Sequence, residues 1–266
     1  MIPHIEILPP KQDSEKLDAD LALFADKFNR VMQAGYTACI TDNAMGKAAF
    51  QAMELITELE LEIPDPGQIH VHLNTFHTKA DLDATLDFCL ARGIKNILVL
   101  TGDGSERLYK LQPADLAEFV DPSEVQTVTS VTLLKYITAR NPGAFNLGVA
   151  FNPYEPEDHE FAKLDRKVAA GAQFIVTQPI IESHPAVDKL LKDYNLPVTL
   201  ECWMSKKLHL LSDAVGYTIP EDTPYDPFAC LDALRRNYPA CGLYLALLGF
   251  KTQWDAAAAI FPPTAK

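Results

Sequence analysis

At 266 residues, with a formal charge of −13 and five widely spaced cysteines that include no CxxC, the chain has the size of one (β/α)8 barrel, roughly 250 residues, and can bury a large core. The charge argues against a nucleic-acid partner, since no basic run exceeds Lys206 with Lys207 or Arg235 with Arg236, and the cysteines suggest neither a disulfide framework nor a zinc knuckle. No apolar run approaches the roughly 18 residues of a membrane helix, and the opening Met1-Ile2-Pro3-His4 has neither the basic region nor the apolar core of a signal peptide, so a reducing cytoplasm is the expected location.

Residues 5–8 read as a first strand, stopped by Pro9 and Pro10, and 14–32 as an amphipathic helix with Leu17, Leu21, Phe24 and Phe28 on one face. Gly35 closes that helix. A strand over 36–41, a helix over 45–59, a strand over 69–73 and a helix over 79–91 follow, and Gly93 leads into the strand 97–100. Its run Ile97, Leu98, Val99, Leu100 shows no polar alternation, which suits a parallel strand covered on both faces. This strand enters the string TGDGS, 101–105, in which Gly102 and Gly104 bracket Asp103.

Helices are expected near 113–119 and 131–139, then a strand at 147–151, a helix at 157–170, and Gly171 before a strand at 174–177. A helix at 186–193, a strand at 197–201, helices near 207–214 and 228–236, a strand at 243–248 and a helix around 254–260 complete the chain. Eight strands alternating with helices, without a linker, predict a single (β/α)8 barrel over residues 1–266, with a doubly wound sheet as the alternative. The segment 217–227 reads as an insertion before the last strand.

In a barrel the chemistry sits at the carboxyl ends of several strands. There the sequence offers Glu6, Thr41, Asp42, His70, His72, Asn74, Asp103, Asn152, Thr177 and Gln178. A carboxylate inside the short apolar strand of Glu6 is costly unless paired or protonated, and its burial raises its pKa toward the range of a general acid. Asp103 is the second candidate carboxylate. The His70-x-His72 pair has the spacing of metal-dependent barrel hydrolases, but Asp103, Asn152 and Gln178 complete a zinc site poorly, so no metal is expected. TGDGS fails as a dinucleotide fingerprint because Arg107 stands where GxGxxG requires glycine, and no GxSxG occurs. Glu160, Lys163, Arg166 and Lys167 follow helical spacing, which fits either a phosphate-holding cluster or an ordinary solvated face.

The strand IEILPPK, the string TDNAMG, the strand end HLN, the LTGD turn and above all KLDRKVAAGAQFIVTQPIIE, 163–182, resemble the 5,10-methylenetetrahydrofolate reductase family of flavin-dependent (β/α)8 barrels over nearly the whole chain. The resemblance implies interconversion of 5,10-methylenetetrahydrofolate and 5-methyltetrahydrofolate, with FAD as cofactor and NAD(P)H as electron donor or acceptor. It implies Glu6 as the general acid that opens the folate ring, Asp103 as a carboxylate near flavin and pterin, and Gln178 as the amide on the pterin. Thr41, His72, Leu100, Thr101, Gly102, Asp103, Tyr109, Phe151, Glu160, Lys163, Arg166 and Lys167 fall on flavin-contacting positions. Thr101 stands where the family has arginine, Phe151 and Glu155 where tyrosine and histidine are common, and Glu160 and Lys163 where aspartate and asparagine are usual. Glu155 adds negative charge near an expected cofactor phosphate. The resemblance leaves open an oxidative direction, a flavin-free enzyme with direct transfer from NAD(P)H, a non-catalytic folate-binding subunit, and a homo-oligomer.

Overall fold

The structure, a computed structural model, describes residues 2–104 and 106–263; Ser105, the last residue of TGDGS, lies outside the described residues. Eight strands form one closed parallel barrel in sequence order, with the last paired to the first: β1 (His4–Ile7), β2 (Thr37–Ile40), β3 (Ile69–Leu73), β4 (Asn96–Val99), β5 (Asn146–Phe151), β6 (Phe174–Pro179), β7 (Val198–Trp203) and β8 (Gly242–Ala246). The two-residue period of a strand sorts its side chains. Ile5, Ile7, Ala38, Ile40, Val71, Ile97 and Val149 face the helices in the main core. Cys39, Leu98, Phe174, Val176 and Tyr244 pack together inside the barrel. The carboxylates of Glu6 and Glu201 and the ring of His72 share that interior side, at the end where it opens.

The outer layer comprises α1 (Leu17–Gln33), α2 (Ala52–Glu58), α3 (Lys79–Arg92), α4 (Ser130–Arg140), α5 (Glu157–Ala169), α6 (Pro185–Asp193), α7 (Leu208–Val215), α8 (Pro227–Asn237) and α9 (Trp254–Ile260). Each of the longer ones buries one stripe, as α1 does with Phe24, Phe28, Val31 and Met32. Gly93, at φ 71°, supplies the left-handed cap that closes α3 and returns the chain to β4. No helix among the described residues is long and apolar enough to cross a membrane.

Two expected helices are corrected. Over 45–59, Asn43 (φ 46°) and Met45 (φ 56°) are left-handed, so TDNAMG folds as a 3-10 turn at Ala44–Gly46, and α2 starts only at Ala52 behind a Gln51/Glu54 capping box. Near 113–119 there is a 3-10 turn, Pro113–Leu116, with Leu116 its one buried residue, too little apolar surface for a docked helix. β6 and β7 run two residues beyond their expected ends, which brings Gln178 and Trp203 inside strands. The loop between α7 and α8 folds back on the barrel: Tyr225 donates its hydroxyl to the Trp203 carbonyl (2.6 Å), and the Tyr217 ring meets that of Tyr154 at 5.8 Å.

Candidate active site

The carboxyl ends of the strands surround a cleft of about 790 Å³, the size of a site for a small organic ligand. At its bottom stands Glu6. Its Oε1 accepts from the Leu247 backbone N–H at 3.0 Å and its Oε2 from the Tyr244 hydroxyl at 3.2 Å. Leu247 is left-handed (φ 54°), so the chain leaving β8 aims a backbone donor into the barrel. That is how an apolar strand end, LYLALL, contributes a polar group. Burial raises the Glu6 carboxyl above its ordinary value, against the smaller opposing pull of the Leu247 and Tyr244 hydrogen bonds and the Lys27 charge.

Glu201 enters the same cleft from β7. Burial, and after it the charge of Glu6, pushes its carboxyl well above the usual range. Tyr244 lies between the two acids: its backbone pairs in register with Glu201 on one side and His4 on the other. His72 stacks on Tyr244, with centroids at 6.1 Å, and burial lowers it to about 4, which makes it a neutral imidazole at working pH. The two histidines of the HxH string part company. His70 turns to the barrel floor, where its ring meets His4 at 4.8 Å and Phe174 at 5.4 Å.

The rim is braced by hydrogen bonds between strand ends. Buried Asp42 accepts through Oδ2 from the Asn74 backbone N–H (2.7 Å) and pairs with His77 Nε2 (2.7 Å), whose Nδ1 faces the Gln51 amide at 2.7 Å. Asp103 is exposed at the mouth and accepts from the Met45 backbone N–H at 2.7 Å, which ties the TGD turn to TDNAMG. Gly102 sits at φ 86°, and a Cβ there would come within 2.8 Å of the Phe76 ring, so only glycine fits this wall. Thr101 stays partly in the framework: its hydroxyl accepts from the Ser130 N–H at the start of α4 (3.1 Å) and its carbonyl from the Thr75 hydroxyl (2.7 Å).

On the α5 side, Glu160 is 2% exposed, accepts from the Asn152 N–H at 2.9 Å and forms an ion pair with Lys163. Lys167 is buried, donates to the Ala150 carbonyl at 2.5 Å, and is lowered to about 8 by burial, against the opposing charge of Glu160. Both lysines line the cleft with Glu155, Glu160, Asp103 and Asp213, so acids outnumber bases on its wall.

The cleft thus brings together Glu6, Thr41, His72, Leu100, Thr101, Gly102, Asp103, Glu160, Lys163, Lys167 and Gln178. Three expected residues lie elsewhere. Tyr109 is exposed and donates to Asp115 (2.7 Å), Phe151 is buried in the outer core against Phe161 (5.2 Å), and Arg166 is on the exposed side of α5. Sequence reasoning passed over Glu201 and Tyr244. The signal for Glu201 was the one used for Glu6, a carboxylate inside a short apolar strand.

The family model for methylenetetrahydrofolate reductase matches residues 3–192. Among solved structures, the chain is similar to oxaloacetate acetylhydrolase in complex with the inhibitor 3,3-difluorooxalacetate (10% identity, 98% of this chain and 79% of that one, TM-score 0.50). It is similar also to 2,3-dimethylmalate lyase (12%, 97% and 79%, TM-score 0.49) and to phosphoenolpyruvate phosphomutase from Streptomyces platensis subsp. rosaceus (13%, 98% and 80%, TM-score 0.41). At 10% identity the first speaks to the barrel fold alone.

Proposed function

Because the chain belongs to the methylenetetrahydrofolate reductase family, we propose that it interconverts 5,10-methylenetetrahydrofolate and 5-methyltetrahydrofolate by hydride transfer, as a cytoplasmic enzyme of one-carbon metabolism. The observation that carries this reading is the Glu6 carboxyl, half-buried at the bottom of a ligand-sized cleft and raised by desolvation toward the range of a general acid. FAD, when bound, supplies a reversible two-electron hydride carrier between nicotinamide and folate. The cleft fits a flavin in volume, in the close backbone approach at Gly102 and in its mixed wall of Leu100, Thr41 and Thr101. Lys163 and Lys167 are the cations that would hold its phosphates.

In the reductive direction the bond between the bridging methylene and N10 opens, and its electron pair stays on nitrogen. Glu6 supplies the proton to that nitrogen, and the carbon is left as an N5 iminium cation. The Asp103 carboxylate, at the mouth, favours that cation, and the Gln178 amide gives the pterin edge one donor and one acceptor. Addition of hydride to the cation completes the methyl group. The oxidative direction runs the same steps backward and suits removal of methyl groups from methyltetrahydrofolate.

A second reading, direct transfer from NAD(P)H without flavin, is favoured by two features: Lys163 is already paired with Glu160, and Arg166 lies outside the cleft. The visible spectrum of the protein reconstituted with FAD, taken anaerobically before and after adding methyltetrahydrofolate, separates the two. Bleaching supports the flavin route. No bound flavin together with NAD(P)H-dependent folate turnover supports the direct one, and bound flavin with neither bleaching nor turnover refutes both.

A further inference from the structure

Glu201 has no role in the reaction as derived so far. It stands on β7, beyond the family match at residues 3–192, and lines the cleft with Glu6. Its backbone N–H is held by the Thr177 hydroxyl at 3.2 Å, while its carboxyl accepts no hydrogen bond from the described residues. Glu6 is the opposite case, since each of its oxygens has a donor, Leu247 N–H on one and Tyr244 hydroxyl on the other. The two donors ease a charge on Glu6 without overcoming its burial, whereas Glu201, with none, in a walled site beside another acid, is the more strongly held to its proton.

Among the described residues, most groups around the pair are neutral. Facing the pair are Cys39 from β2, a thiol held protonated by burial; His72 from β3, a neutral imidazole; and Tyr244 from β8, a neutral phenol. Gln178 from β6 is neutral; Lys27 of α1 acts on Glu6, and Lys163 and Lys167 of α5 line the same cleft, Lys163 paired with Glu160. One negative charge is tolerable there and two are not.

We propose that Glu201 is the second half of the acid: Glu6 and Glu201 form a carboxyl pair that holds one proton between them and gives it to the folate nitrogen as the ring opens. The proposal rests on the folate reading of the cleft. The step balances: the C–N bond breaks toward nitrogen, nitrogen takes the proton, and the pair goes from one negative charge to two as the substrate gains one positive charge. The repulsion that resists losing the last proton in the empty cleft is offset by the iminium cation when substrate is present. The pair therefore titrates as a whole, and its proton belongs to neither residue alone. Glu201 acts through Glu6, as a positioning residue that keeps the pair protonated at neutral pH.

The test is the pH dependence of Glu201→Gln, read in two ways on the full chain. Difference infrared spectroscopy of the protein without folate follows the carbonyl stretch of protonated carboxyls. It should show a cleft carboxyl protonated at pH 7 in the parent and titrating at a pH lower by about 1 or more in the variant, where Glu6 stands alone. Methylenetetrahydrofolate turnover in the variant should fall about tenfold or more at neutral pH and recover toward acid pH. Glu201→Asp, which keeps the carboxyl, should restore the parent profile. An unshifted infrared titration and pH profile in Glu201→Gln overturns the pair. A shifted titration in a protein that does not turn over folate keeps the pair and removes the folate reading.

Discussion

Replacing Glu6 by Gln isolates the proton from the shape. The amide retains an oxygen for the Leu247 N–H, now bonded at 3.0 Å, and its NH2 can donate to the Tyr244 hydroxyl, which sits 3.2 Å from the carboxylate. The local packing is kept and the titratable proton is lost. A positioned general acid contributes about 10²- to 10⁴-fold, equivalent to roughly 2.7 to 5.4 kcal/mol at about 1.36 kcal/mol per tenfold. Folate turnover should fall by that factor, while reduction of bound flavin by NAD(P)H, which needs no acid at Glu6, stays within about twofold. Stability should move the other way. Burial raises the Glu6 carboxyl in the folded state, so the parent loses stability as pH rises from the ordinary carboxylate range through the raised value, by about 1.36 kcal/mol for each pH unit that separates the two. The glutamine variant carries no such loss. Its melting temperature should equal the parent's near pH 4 and exceed it near pH 8. Stopped-flow turnover and thermal melts at the two pH values read both effects. Turnover within tenfold of the parent would refute Glu6 as the proton source, and a melting difference independent of pH would refute the burial argument.

Other expectations follow from the same geometry. Lys167 is lowered to about 8, so a diphosphate cofactor should bind progressively more weakly as pH rises through that value, and Lys167→Met should cost roughly tenfold or more in flavin affinity by fluorescence titration. Asp42→Asn breaks a buried pair and should cost about 3 kcal/mol in urea unfolding. Burial opposes the charged form of His77, but the Asp42 hydrogen bond and charge outweigh it and raise its value. The cost should therefore be largest below the ordinary histidine range and shrink as pH rises through the raised value. Gly148→Ala would place a Cβ 2.1 Å from the Phe174 ring inside the barrel, an overpacking worth about 1–3 kcal/mol that Phe174→Leu in the same chain should partly relieve.

The barrel was legible because its strands are short apolar runs at regular spacing and its helices keep a 3.6-residue stripe, signals that tertiary contacts reinforce. The helix expected over 45–59 lost its first part to the turn Ala44–Gly46, where left-handed Asn43 and Met45 overrode an apolar pattern, and kept Ala52–Glu58; the one expected near 113–119 is the turn Pro113–Leu116, with a single buried leucine. Strand-end residues were readable for the same reason as the strands, since alternation tells which side chains turn inward, and Glu6, Thr41, His72 and Gln178 do so. The Leu247 donor was hidden because it is a backbone group, exposed only by a left-handed turn that LYLALLGF does not advertise. Tyr109 and Phe151 were placed by resemblance alone and Arg166 by helical spacing as well; a helix or strand fixes which face each residue occupies, and here Phe151 and Arg166 take faces turned from the cleft.

The most direct test of the account is product analysis. The purified chain, supplied anaerobically with methylenetetrahydrofolate, FAD and NADH or NADPH, should yield 5-methyltetrahydrofolate by mass spectrometry, and Glu6→Gln should yield at least about a hundredfold less in the same time. An intact, folded protein that leaves methylenetetrahydrofolate unchanged with either nicotinamide, and methyltetrahydrofolate unchanged in the reverse direction, would contradict the assignment of this cleft to folate chemistry.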